Sequence, residues 1–493
     1  MERYNLVVVG AGSAGLMVAA GAAGLGAKVA VVERGLMGGD CLNTGCVPSK
    51  ALLRSAKAAL APRSGDRLGI VHPGSTPVDL AESWPRVAAR VQSVIDTIAP
   101  HDSVERFQSL GVDVVQGSGH FMSSREVAVT GADGQQRILE GRALVVATGS
   151  GPMVPPIPGL EEAGYLTNET VFTQTRQPRR LAVLGGGPIG LELGQAFARL
   201  GSEVTVVEML PRILPREDPD AAQVLAESLT RDGIAILTGH QAVRVEGGSA
   251  GKRLVCRPAG QPAEGGGAPA ETVVEVDEIL VAVGRRAHVT GLGLEELGVD
   301  VSGGRIAVDR YLRTAVPSIF ACGDVVGPYQ FTHMAGQQAR AVIQNALLPL
   351  KTRMDYRVVP WATFTEPEVA RVGLSEEEAT AQGVAHRVIK VPLAGIDRAV
   401  CDGDTEGFLK ILTPPGRDGI LGATLVGPHA GDLLHEVVLA MRARLRLRDI
   451  ASTVHIYPTL AEVFRRAADE ARKESFTPRL QKWFAAYFRW RRR

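Results

Sequence analysis

Two copies of one strand–glycine turn–helix–strand pattern, about 175 residues apart, constrain this 493-residue chain more than any other feature. In the first, Leu6-Val-Val-Val-Gly10 reads as a buried parallel strand that turns through Gly10-Ala-Gly12-Ser13-Ala14-Gly15 into an Ala-rich helix. The next strand, Lys28 to Glu33, ends in an acid. In the second, Leu181 to Leu184 leads into Gly185-Gly-Gly187-Pro188-Ile189-Gly190, a helix through Glu192, Leu193 and Phe197, and a strand from Glu203 to Glu208. The glycines let backbone approach a pyrophosphate, the helix N-terminus favours its charge, and the terminal acid accepts hydrogen bonds from ribose hydroxyls. Two complete patterns imply two dinucleotides.

Just after the first pattern comes Gly38-Gly39-Asp-Cys41-Leu-Asn-Thr-Gly-Cys46-Val-Pro-Ser-Lys50. Five positions of regular helix rise ~7.5 Å, more than the ~6.8 Å between Cα atoms that a disulfide tolerates. The two cysteines can therefore pair only across a bend, which Asn43 and Gly45 permit. Pro48 then suits the first turn of a helix that carries Lys50, Leu52 and Leu53. A zinc site would need a second Cys or Cys/His pair nearby, and none is present; no metal site is expected. A dithiol beside two dinucleotide folds implies FAD in one and NADH or NADPH in the other, with hydride passing to the flavin and electrons to the disulfide. Glu208, at the end of its strand, favours NADH, because a carboxylate there repels a 2′-phosphate. Arg212 and Arg285-Arg286 are the groups that could hold that phosphate instead.

The chain is long for one domain and suits about three. It is 45% hydrophobic and 22% charged, a globular composition. The formal net charge of +1 argues against nucleic acid as a main partner. Five cysteines, two of them in the redox run, indicate a reducing, cytoplasmic setting without a disulfide framework. Residues 1–10 read as the first strand rather than a signal peptide, and no apolar run is long enough to span a membrane.

Taken in order, these motifs resemble the class I pyridine nucleotide-disulfide oxidoreductases, the group of dihydrolipoamide dehydrogenase, glutathione reductase and mercuric reductase. The resemblance covers about residues 4–470 and includes Ala147-Thr148-Gly149-Ser150, Val283-Gly284-Arg285, Ile319-Phe-Ala-Cys-Gly323-Asp324 and His455-Ile-Tyr457-Pro-Thr-Leu-Ala-Glu462. It implies an α/β fold of two Rossmann-like domains, for FAD and NAD(P), plus an α+β dimerisation domain. The FAD domain is expected over residues 1–150 and 281–350, the NAD(P) domain over 151–280, and the dimer-interface domain over 351–470. Cys46 is expected to face the flavin as the charge-transfer thiolate and Cys41 to meet the substrate. Lys50 is expected beside the flavin, paired with Glu192. Asp324 would bind the ribityl or phosphate part of FAD, and the helix beginning at Thr332, His333 and Ala335 would cap the flavin pyrimidine. Arg34, Gly39 and Gly119 complete the expected cofactor contacts. Cys322 reads as a small buried residue. A loop is expected over 60–83, one helical stretch over 84–110, and a surface hairpin at 261–270.

The resemblance breaks at one place. In lipoamide dehydrogenase and glutathione reductase the residue before the proline of the last motif is the catalytic histidine, oriented by the glutamate that corresponds to Glu462. Here that residue is Tyr457, and the nearest histidine, His455, lies two positions earlier. In an extended segment the two side chains would point the same way. A tyrosine, titrating near ~10, is a poor base for a thiol, whereas a histidine near ~6.5 is a good one. Mercuric reductases also lack the histidine and use tyrosine near the metal, although this sequence holds neither a Cys-x-x-Cys metal module nor a vicinal cysteine pair near its last residues. Three readings stay open: a mercuric reductase-like enzyme acting on a disulfide, metal ion or quinone; a dihydrolipoamide dehydrogenase with His455 as base; and a flavin-bearing redox sensor with little turnover. In the family, the last motif of one subunit completes the site of the other, so a homodimer is expected.

Residues 471–493 lie beyond that resemblance and carry eight basic residues and one acid, a net +7. Thr477 and Pro478 read as a helix start. Leu480, Trp483, Phe484, Tyr487 and Phe488 then fall on one face. Either this stripe packs on the chain's own interface domain, or 476–493 rests on anionic lipid, which would place the protein at the inner face of a membrane.

Overall fold

Valine- and leucine-rich runs with no alternating polar face form the first sheet, as strands buried on both sides must. The computed structural model describes residues 2–64, 68–69, 80–248, 251–260, 271–473 and 478–492. Its contacts divide the chain into two units, Met1–Leu60 with Thr76–Leu210 and Ile234–Asp355, and Ala61–Ser75 with Pro211–Gly233 and Tyr356–Arg493.

In the first unit, Val112–Gln116, Val29–Glu33, Glu2–Val9 and Gln136–Val146 run parallel in that order. The long strand Gln136–Val146 takes a different partner on its far edge in each half. Glu126–Thr130 pairs with its start antiparallel, and Ile319–Ala321 pairs with its end in parallel. Leu6, Val7, Val8, Val29, Val31, Leu144 and Val145 are fully buried in this sheet. The parallel register brings Gly10, Ala147 and Cys322 to one end of it, where polar groups meet cofactors. A second parallel sheet holds Ala235–Thr238, Glu203–Glu208, Arg180–Leu184 and Glu278–Val281. Beside it stands an antiparallel sheet of His240–Gly248, Gly251–Pro258 and Thr272–Val276. The hairpin expected at 261–270 lies outside the described residues.

Two expected boundaries change. The loop over 60–83 is shortened at both ends, because helices Cys46–Ser64 and Leu80–Ile98 extend into it; the Ala-rich stretch before residue 62 favours helix. Residues 65–67 and 70–79 of that loop lie outside the described residues. The single helical stretch over 84–110 becomes two helices. Leu80–Ile98 gives way to a 3-10 turn at Ala99–Asp102, and Val104–Ser109 restarts under a Ser103 cap whose hydroxyl accepts from Arg106 N at 3.2 Å. Pro100 in that turn has no N–H to continue the helical ladder.

The second unit is a five-stranded antiparallel sheet in the order Pro360–Thr363, Glu368–Gly373, Gly422–Gly427, Phe408–Thr413, Arg387–Pro392. One face is apolar. Val372, Leu409, Ile411, Ala423 and Leu425 pack there with Val463, Phe464, Ala467 and Ala468 of helix Glu462–Lys473. The other face carries a buried charged row. Register aligns Trp361, Arg371, Thr424, Lys410 and Lys390 across the strands. Arg371 is 1% exposed, lies over the Trp361 ring at 4.9 Å and pairs with Glu378. Lys410 reaches Asp218 and Asp220 at 2.9 Å and Glu376 at 3.1 Å. Buried charges persist only when paired in this way.

Helix Pro478–Arg491 begins at Pro478 as expected but has no buried residue, with Trp483 59% and Trp490 68% exposed. The reading in which the stripe packs on its own domain is therefore corrected, since among the described residues none of the helix is buried as core.

The charged row yields a stability test. Lys410→Met strands the fully buried Asp218 carboxylate and should cost about 3–5 kcal/mol. Lys390→Met removes a half-exposed partner of Asp220 and should cost under about 1 kcal/mol. Chemical unfolding of the two variants measures the difference.

Candidate active site

The two glycine turns use their glycines in two distinct ways. A Cβ on Gly15 would sit 1.8 Å from the Gly10 carbonyl oxygen, and one on Gly190 would sit 2.2 Å from that of Gly185. These glycines let each helix close onto its own turn. The middle glycines face no such wall: a Cβ on Gly12 meets only Gly39 Cα at 3.7 Å, and one on Gly187 meets nothing within 4 Å. Protein packing does not explain why they lack side chains, whereas close approach of a pyrophosphate does. The terminal acids repeat the symmetry. Glu33 accepts from Ala11 N at 2.7 Å and Gly35 N at 2.8 Å. Glu208 accepts from Gly186 N at 2.7 Å and Leu210 N at 2.8 Å. The residues present fit FAD and a nicotinamide dinucleotide.

The redox run bends where it must. A five-residue helix, Gly39–Asn43, ends at Thr44, and a new helix starts at Cys46, with the Gly45 carbonyl accepting from Ser49 N at 3.1 Å. Cys46 is thus the first helical residue, where the unpaired N–H groups favour a thiolate. All five cysteines are free thiols. Cys46, Thr332 and Ser13 are the polar neighbours that act on the Cys41 thiol. Thr332 Oγ1, at the start of helix Thr332–Leu347, lies 3.6 Å from Cys46 Sγ. Donation from Cys41, then from Thr332, with the Lys50 charge, pulls Cys46 below the usual thiol range to about 6. Cys41, as donor to Cys46 and partly desolvated, is pushed far up. Burial raises Cys322 to about 12 and Cys256 to about 11, which makes both inert.

Lys50 Nζ lies 2.7 Å from Glu192 Oε2, and Glu192 is 5% exposed. Ser150 Oγ donates to Asp324 Oδ2 at 2.7 Å, and burial raises the Asp324 carboxyl. Thr148 Oγ1 donates to the His288 carbonyl at 2.7 Å, while Gly149, Gly284 and Gly323 hold positive φ along the same end of the sheets. Ala335 is buried, and His333 stacks on Phe331 at 5.2 Å. Gly119 lies in strand Ser118–Phe121, where a Cβ would come 3.0 Å from Val9 Cγ1, and Arg34 follows strand Val29–Glu33.

Sequence reasoning passed over Asp40. Its carboxylate accepts from Thr44 Oγ1 at 2.7 Å and Asn168 Nδ2 at 2.9 Å, and pairs with Arg285 Nη2 at 3.0 Å. Arg285 Nε also donates to Ser150 Oγ at 2.9 Å. Arg285 therefore ties the redox run to the Ser150–Asp324 strand ends and is not free for a 2′-phosphate. A carboxylate directly before Cys41 was the available signal.

The last motif, in the second unit, departs from its extended reading. His455 turns inward, with a side chain 5% exposed; Nε2 lies 2.9 Å from Glu436 Oε1, and Nδ1 lies 2.9 Å from the Thr453 carbonyl. Tyr457 points away, 67% exposed, with its hydroxyl donating to Asp397 Oδ2 at 3.0 Å. No strand ladder enforces alternation here, and the chain bends at Tyr457 and Pro458. Glu462 does not orient His455. It is buried, Oε1 lies 3.0 Å from Arg465 Nη2, and among the described residues Oε2 has no hydrogen-bond partner. The Asp397 hydrogen bond and charge, with the Glu462 charge, raise the Tyr457 phenol.

The thiol asymmetry is testable by alkylation of the reduced protein across pH. The fast-reacting thiol should show a midpoint near 6, reactive above it and protected below, and Cys46→Ser should remove that phase. Cys41→Ala should move the midpoint up towards the free-thiol value near ~8.5, while Cys41→Ser keeps a donor and holds it lower. A single phase near the free-thiol value in the parent protein would sink this assignment.

Residues 4–339 match the family described as pyridine nucleotide-disulphide oxidoreductase, and residues 359–468 match its dimerisation domain. A dihydrolipoyl dehydrogenase of Chlamydia muridarum is 35% identical over 471 residues, 95% of this chain and 96% of the relative. A mercuric reductase of Bacillus cereus is 33% identical over 460 residues, 93% of this chain and 70% of the relative. The Cu(II) complex of the HOCl-induced flavoprotein disulfide reductase RclA from Escherichia coli superposes with a TM-score of 0.82 at 27% identity, covering 95% of this chain and 99% of that one. The chain, with its two dinucleotide folds, redox cysteine run and dimerisation domain, belongs to the class I pyridine nucleotide-disulfide oxidoreductase family.

Proposed function

We propose that this enzyme carries electrons from NADH to a thiolate-bound soft metal ion through the Cys41–Cys46 pair. As a family member it uses FAD and a nicotinamide nucleotide and assembles through its dimerisation domain. The first glycine turn with Glu33 and Asp324 would hold FAD, which would supply hydride acceptance from the nicotinamide and two-electron delivery to the thiols. Cys46, at a helix N-terminus and near Lys50, holds the negative charge on its sulfur. Cys41 keeps its proton until the acceptor arrives, because its neighbour is already ionised. Lys50 is oriented by Glu192. Thr332 Oγ1 holds the Cys46 sulfur at 3.6 Å.

The observation that carries the reading is the state of the last motif. Reduction of a disulfide substrate needs a proton relay to its leaving thiol. The Tyr457 phenol is held neutral by Asp397 and Glu462, and the His455 ring is locked on Glu436. Neither suits that relay. A metal ion held by two thiolates is reduced without protonating a leaving sulfur. One nicotinamide oxidised reduces one two-electron ion or two one-electron ions, and one proton is released per free two-electron ion. When the ion arrives bound to two small thiolates, these leave as thiols. One takes the Cys41 proton, which the proton from the nicotinamide then replaces, and the other takes one from solvent on each cycle. The names of the Bacillus cereus relative and of the RclA complex point the same way. For the coenzyme, Glu208 occupies the ribose end of its strand, while Arg212 is paired with Glu377 and the Pro215 carbonyl. That favours NADH. Exposed Leu439, Val454, Ile456 and Tyr457, at 66%, 94%, 79% and 67%, form the apolar patch proposed to bring the last motif of one subunit to Cys41 of its partner.

Steady-state assays with Hg(II) or Cu(II) in excess thiol, lipoamide, glutathione disulfide and a short-chain quinone test the proposal. Metal-dependent NADH oxidation should exceed lipoamide turnover at least about tenfold and fall at least about a hundredfold in Cys41→Ser and Cys46→Ser. Tyr457→His should raise lipoamide turnover, since it offers a base to the unpartnered Glu462 oxygen. NADH should outperform NADPH by about tenfold or more, and Glu208→Gln should narrow that ratio. Lipoamide turnover above metal reduction in the parent enzyme would overturn the metal reading.

A further inference from the structure

Helix Pro478–Arg491 is an amphipathic element with an exposed apolar face that the redox reading does not use. From 475 to 493 there are six basic residues and no acid. At 100° per residue, Leu480, Trp483, Phe484, Tyr487, Phe488 and Trp490 share an arc of about 160°. Lys482, Arg489 and Arg492 fall on the other side, Arg479 flanks the arc beside Trp490, and Arg491 alone lies among the aromatics, where its long stem lets the charged head reach outward. Two of the chain's four tryptophans are in this helix. Trp483, Phe488 and Trp490 are 59%, 55% and 68% exposed. Trp483 stacks on Tyr487 at 5.8 Å, so the rings present a continuous face rather than scattered contacts.

We infer that this helix lies flat on an anionic lipid bilayer, aromatic face in the acyl boundary and basic flank on the headgroups. Length excludes a span. Fourteen residues of helix measure about 21 Å, against a hydrocarbon core of about 30 Å. Indeed, among the described residues no helix is long and apolar enough to cross a membrane. Charge decides between occupants. A second copy docked on the aromatic face would bury Arg491 in the apolar seam and leave the basic flank without counter-charge. A nucleic acid would meet the basic flank and leave the aromatic face in water. An anionic bilayer satisfies both faces, since tryptophan and tyrosine favour the interface and each nearby basic group adds attraction. The enzyme would then work at a membrane surface with its redox units in the water phase.

The FAD-loaded full chain is sedimented with phosphatidylcholine vesicles, with or without about 30% phosphatidylglycerol, at low and high salt. The expected result is binding at least about tenfold tighter to the anionic vesicles, weakened at least about tenfold at about 0.5 M salt. Acyl-brominated lipid should quench tryptophan emission, and W483F/W490F should remove the quench, because Trp84 is buried and Trp361 is covered by Arg371 and bonded to Glu217. Deleting 476–493 should abolish binding with flavin content and dimer mass unchanged. K482Q/R489Q/R492Q, a surface change that spares the fold, should weaken it at least about tenfold. No binding at low salt, equal affinity for the two vesicle types, or quenching that persists in W483F/W490F overturns the inference. So does loss of the dimer on deletion, which would assign the face to a second copy, or binding to duplex DNA without binding to vesicles.

Discussion

Everything at the redox centre depends on how closely a helix can approach the turn that precedes it. Gly15 against the Gly10 carbonyl, and Gly190 against that of Gly185, allow an approach that any side chain would block. That closeness aims the first free N–H groups of each helix at one point, and Glu33 and Glu208 brace the turn from the next strand. The same physics recurs at Cys46. There a broken helix, rather than a glycine turn, puts a sulfur at the positive end of a backbone dipole.

The two cysteines are chemically unequal because their neighbours are unequal. Cys46 receives hydrogen bonds from Cys41 and Thr332 and feels the Lys50 charge; Cys41 gives a hydrogen bond to an anion. Asp40 works against this gradient, since its charge raises Cys46, yet it is held by Arg285, Thr44 and Asn168. Its contribution is positional. It anchors the bend between the thiols to the strand ends that carry Ser150 and Asp324.

The dimerisation unit solves a different problem. Its sheet buries an apolar face on one side and a paired charged row on the other, so Arg371 and Lys410 are held in place by surrounding carboxylates. The motif that follows is not held by a ladder, and two residues two positions apart settle into separate polar contacts, His455 with Glu436 and Tyr457 with Asp397. The choice of acceptor rests on that local divergence rather than on the fold.

By itself the sequence determined both dinucleotide folds, the need for a bend between Cys41 and Cys46, and the start of the last helix at Pro478. Each is written in short-range chemistry: glycine spacing, helical rise, and a proline that fits the first turn. It also announced Lys50 and Glu192 by resemblance, though their meeting at 2.7 Å is a tertiary fact. Only the tertiary structure decided the partners of Arg285 and His455 and the anchoring of Asp40 to Asn168 and Arg285, because those lie far apart in the chain or depend on backbone that no repeating ladder governs. It also decided that the Trp483 face remains exposed, since a helical stripe has the same period whether it meets a core or a bilayer.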